Sequence, residues 1–121
     1  MVSPQLRDLM IASWCDMPPT FRHSFRAMWF KSLPAPLSSI FLAVTEWPPF
    51  VASFHVLSVT REMGESPVEI APEDANFAAF WLRSADHGSP LWRLLVCIAS
   101  GKVTREDLRI LAEVVEALAD G

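Results

Sequence analysis

Apolar residues recur along this chain at the three- and four-residue spacing of helices, and prolines and glycines cut the pattern into short pieces. Ser3-Pro4 reads as an N-cap followed by proline at the first helical position, where a missing N–H costs nothing. Leu6, Leu9, Met10, Ile11 and Trp14 then follow at helical spacing until Pro18-Pro19 stops the run. Thr20 caps a second helix with Phe21, Phe25, Met28 and Trp29 on one side and Arg22 and Arg26 on the other, and Pro34 and Pro36 end it.

The stretch from Leu37 to Thr60 is the ambiguous part. Leu37, Ile40, Phe41, Val44 and Trp47 fit one helical stripe, while Ile40 to Thr45 also suits a buried strand. A helix is the better reading, because no clear second strand exists to satisfy the backbone of the first. Pro48-Pro49 opens a further helix with Phe50, Phe54 and Leu57 on one face, ending at Gly64. Its centre, Phe54 to Thr60, is rich in β-branched residues, which weakens the helical signal there.

Pro72-Glu73-Asp74 places proline and two carboxylates in a first helical turn, followed by Phe77, Phe80, Trp81 and Ser84 up to Gly88. Ser89-Pro90 caps the next helix, with Leu91, Leu94, Leu95 and Ile98 inward and Gly101 as its stop. Thr104 followed by Asp107 resembles a capping box, with Asp where Glu or Gln is usual, and the last helix runs from Arg105 toward Asp120. The expectation is one all-α domain over residues 1–121, a compact bundle of short helices joined by Pro/Gly-punctuated connections.

Composition adds a surplus of bulk. Five Trp and eight Phe accompany no Tyr, and 51% of the residues are apolar. A domain of this size has limited interior, so part of that surface is expected to remain outside as an interface.

The net charge of −4 argues against nucleic acid as a partner, since phosphate binding needs a concentrated positive surface. Ser32 to Thr60 carries one formal charge, Glu46, but Pro34, Pro36, Pro48 and Pro49 interrupt it, so buried core helices fit better than a membrane span. Cys15 and Cys97 read as buried thiols in a reducing compartment, and the N-terminus lacks the pattern of a secretory signal, so the cytoplasm is the expected location.

No chemistry-bearing motif survives inspection. Asp86-His87-Gly88-Ser89 gathers the residue types of a hydrolase, yet it falls where one helix ends and another begins, which suits a turn and an N-cap. His23, His55, His87, Cys15 and Cys97 lack metal-ligand spacing, so no metal and no cofactor are expected, and His55 reads as a core or boundary residue. Gly101-Lys102-Val103-Thr104 lacks the upstream glycine of a phosphate loop. The acidic run Glu62, Glu65, Glu69, Glu73 and Asp74 reads first as a solvated loop and helix start.

What remains is apolar excess on two helices. The last helix offers Leu108, Leu111, Ala112, Val115 and Leu118 as one stripe, and Ile110, Val114 and Ala117 as a second that should point elsewhere. In the second helix Phe30 adds to an already sufficient face beside Phe25 and Trp29. Phe25, Trp29, Phe30, Ile110, Val114 and Ala117 are therefore the expected partner-binding residues. The expected function is a non-enzymatic regulatory protein, self-associating as a homodimer, that sequesters another protein such as a transcriptional activator. The alternatives are an immunity or phage-encoded inhibitor working through the acidic run, and a small hydrolase or lyase centred on His87 or His55.

Overall fold

A computed structural model describes residues 27–120; the expected first helix with Cys15, and the start of the expected second helix with His23 and Phe25, lie outside them. Residues 27–32 are helical, and the chain then passes through Leu33 and Pro34 to five further helices. These are α1 (Leu37–Glu46), α2 (Pro49–Met63), α3 (Pro72–Trp81), α4 (Pro90–Ala99) and α5 (Arg105–Asp120). The described part of the chain is all-helical apart from one minimal ladder, β1 (Val68–Glu69) against β2 (Lys102–Val103).

Local chemistry sets the boundaries much as the sequence implies. Trp47 precedes a proline and adopts extended backbone, which ends α1, and Pro49 at the first turn starts α2. Gly64, at φ 69°, takes the left-handed conformation that stops α2. Ser89 accepts a hydrogen bond from the Trp92 N–H at 3.1 Å and caps α4. At the start of α5 the capping box closes in both directions. Thr104 Oγ1 accepts from the Asp107 N–H at 3.1 Å, and Asp107 Oδ2 accepts from the Thr104 N–H at 2.9 Å. Asp107 thus performs the role usual for Glu.

Three details differ from the sequence reading. The helix expected to run toward Gly88 ends at Trp81, where Arg83 and Ser84 donate to the carbonyls of Phe80 and Trp81 in tighter three-residue turns. The β1–β2 pairing, Val68 opposite Val103 and Glu69 opposite Lys102, was not expected at all. A ladder this short carries no alternating pattern to detect. Asp74, counted with the acidic run, is buried.

The core gathers aromatic residues from the leading helical segment and α3. The Trp29 ring centroid lies 4.7 Å from those of Phe30 and Phe77 and 5.3 Å from that of Trp81, and Phe30 stacks on Phe41 at 3.7 Å. Leu37 and Ile40 from α1, Leu94, Leu95 and Ile98 from α4, and Leu108, Leu111 and Val115 from α5 complete it. Helix α2 packs most extensively on α5, α3 on α4, and α1 touches both α2 and α4.

Candidate functional site: an apolar face on the second long helix

Helix α2 carries two stripes, and it buries the one of smaller side chains. Ala52, Ser53, Val56, Val59 and Thr60 face inward, spaced i, i+1, i+4, i+7 and i+8. This side of α2 packs on α5, where it meets a face carrying Leu108, Leu111, Ala112 and Val115. The two buried hydroxyls need no partner from elsewhere. Ser53 Oγ donates to the Phe50 carbonyl at 3.1 Å, and Thr60 Oγ1 donates to the Val56 carbonyl at 2.7 Å.

The bulkier stripe is consequently turned outward. Phe50 is 61% exposed and Phe54 70%, with Trp47, Val51 and Leu57 also open to solvent. Phe50, Phe54 and Leu57 follow i, i+4, i+7, the spacing of one helical face, and Trp47 lies just before the helix begins. Large exposed aromatics clustered on one helix are the usual mark of an interface.

Toward the end of α2 the face opens into a groove of about 380 Å³, lined by Phe54, Leu57 and Thr60 and by three arginines, Arg61, Arg105 and Arg109. Arg109 is already engaged. Its guanidinium donates to both oxygens of Glu106, and to Glu113 at 3.1 Å. Hydrogen bonding to Arg109 holds the Glu106 carboxyl below its ordinary value, and Glu106 in turn raises Arg109. Arg61 and Arg105 are exposed and form no ion pair with a described residue.

The residues singled out from sequence fall elsewhere. Trp29 and Phe30 are 0% and 1% exposed, so they build the core and offer no surface to a partner. Their assignment to an interface is corrected: the aromatic cluster with Phe77, Trp81 and Phe41 absorbs them. On α5, Ile110 and Val114 are half-buried and Ala117 is exposed. Ile110 lines a shallow hollow with Arg93, Val96 and Cys97 of α4, so part of the second stripe serves helix packing. Leu118, expected inside, is 52% exposed.

The candidate chemical groups are occupied structurally. Asp74 Oδ1 accepts from the Trp29 indole N–H at 2.9 Å, and Glu69 stands opposite Lys102 in the β ladder. The acidic run is therefore not one continuous surface. His87 is exposed and lies 4.4 Å from the Trp92 ring, next to the turn in which the Ser89 N–H donates to the Asp86 carbonyl. His55 Nε2 and Ser39 Oγ are 2.6 Å apart, tying α2 to α1, and Trp47 meets the His55 ring edge-on at 5.1 Å.

Burial pushes the Cys97 thiol from 9.0 up to about 11, and the Asp107 carboxylate adds to the shift. A thiol so disfavoured as thiolate is a poor nucleophile. Among the described residues, no three His, Cys, Asp or Glu side chains gather as metal ligands would, and no helix is long and apolar enough to cross a membrane.

No protein-family model, curated protein or solved structure matches the chain.

Proposed function

We propose that the protein is a non-enzymatic regulatory domain that binds another protein through the outward face of α2. One observation carries this reading: Phe50 and Phe54 stand a single turn apart with most of their surface in water, flanked by Trp47, Val51 and Leu57. Burying a side chain of this size contributes roughly 1.5–3 kcal/mol. A few such anchors on one helix suffice for specific docking into a groove or against a second helix. Regulation follows from occupancy, because a partner surface covered by α2 is unavailable to its other ligands.

Photo-crosslinking tests this directly. A benzoylphenylalanine at position 54 of the full chain, irradiated in cells that produce the protein, forms discrete protein adducts. The same group at position 76, an exposed site on α3, gives none or far fewer. Equal labelling at both positions, or no protein adduct at position 54, contradicts the reading.

A further inference from the structure

We propose that the occupant of the α2 face is an acidic amphipathic helix of another protein, whose carboxylates meet Arg61 and Arg105. The inference rests on the protein-binding reading above and specifies its partner.

Shape and charge combine along a single face. From Phe50 to Arg61 the helix rises about 16 Å, roughly three turns, which is enough to hold a partner helix by anchors at i, i+3 or i+4, and i+7. The first turns present Phe50, Phe54 and Leu57, with Trp47 just ahead of them. The last opens into the groove where Phe54 and Leu57 are bordered by Arg61, Arg105 and Arg109.

Three guanidinium groups at one end of an apolar stripe are unusual in a chain with only 10 basic residues and a net charge of −4. Arg109 is neutralised by Glu106 and Glu113 on its own helix. Arg61 and Arg105 have no ion-pair partner among the described residues, and each guanidinium presents a planar set of donors suited to a carboxylate. An acidic helix satisfies both features at once: its apolar side covers Phe50 and Phe54, and its carboxylates reach the arginine end. The two contributions are separable, since apolar contact sets the lifetime of the complex and the exposed charges set encounter rate and choice of partner.

Two synthetic, helix-stabilised peptides serve as probes. They share apolar residues at i, i+3 and i+7 and differ only in carrying three Glu or three Lys beside the last anchor. Each is titrated into the full chain by fluorescence anisotropy at low salt. The acidic peptide is expected to bind at least ten-fold more tightly than the basic one. Arg61→Glu/Arg105→Glu reduces that preference to two-fold or less, Arg61→Lys/Arg105→Lys retains most of it, and Phe54→Glu weakens both peptides. Circular dichroism checks that each variant is folded.

Equal affinities, or a preference for the basic peptide, with Phe54→Glu still disruptive, overturn the acidic assignment and leave the protein-binding reading standing. Binding by neither peptide also overturns it, and the crosslinking at position 54 then decides the broader reading separately. Sedimentation giving a dimer that dissociates in Phe54→Glu and resists the acidic peptide replaces the proposed partner by a second copy of this chain.

Discussion

Trp29 buries its indole completely, so its single N–H needs an acceptor inside the protein, and Asp74 supplies one from the first turn of α3. Removing that acceptor strands a buried donor. Asp74→Ala is expected to cost about 1–3 kcal/mol of stability, and Asp74→Asn less, because the amide oxygen still accepts; urea denaturation of the two variants checks the order. Cys97 gives a second residue-scale test. Below pH 9 its thiol is neutral in both the folded and the unfolded chain. Between pH 9 and about 11 the unfolded thiol ionises and the buried one does not. The unfolded state then binds fewer protons, so stability falls as pH rises, by about 1–3 kcal/mol in all. The chain contains no Tyr, so no phenol titrates across the same range. In a Cys15→Ser background, Cys97→Ala should flatten this slope, and an unchanged slope would mean that the thiol is not the group responsible.

At the scale of elements, α2 and α5 form the most extensive helix pair. The capping box at Thr104 and Asp107 satisfies two backbone N–H donors at the start of α5, so Thr104→Ala is expected to cost about 0.5–2 kcal/mol. The buried stripe of α2 leaves no room for enlargement where Ala52 is 1% exposed. Ala52→Leu should therefore cost about 1–3 kcal/mol by overpacking, whereas Phe54→Ser should change stability by less than about 1 kcal/mol. The reverse order in thermal or urea unfolding would place α2 the other way round. This inversion is also what the sequence hid. Phe50, Phe54 and Leu57 form the more hydrophobic stripe, while Ser53 and Thr60 make the competing stripe read as polar. Their hydroxyls bond to carbonyls of their own helix, and that makes the small face suitable for burial. The caps and stops were legible because Pro49, Gly64, Ser89 and Thr104 act within a few residues of themselves. The side on which a helix faces its neighbours depends on contacts distant in sequence. Trp29 and Phe30 illustrate the same limit: an aromatic surplus beside them looked external, and only Phe77, Trp81 and Phe41 from other helices account for it.

For the molecule as a whole, the aromatic content is divided between two uses. Trp29, Phe30, Phe77 and Trp81 fill the core, and Trp47, Phe50 and Phe54 remain outside on one continuous face. The surplus inferred from composition is bulkiest on that face, while on α5 Ile110 and Val114 are half-buried and Ala117 and Leu118 exposed. The account stands on that outward placement, and unfolding of the double variant Phe50→Glu/Phe54→Glu measures it most directly. Two side chains mainly in water contribute little to folding, so the variant should keep its helical circular dichroism and lie within about 1 kcal/mol of the parent in urea. Two buried aromatics replaced by carboxylates would instead cost several kcal/mol or prevent folding, and that result would contradict the account.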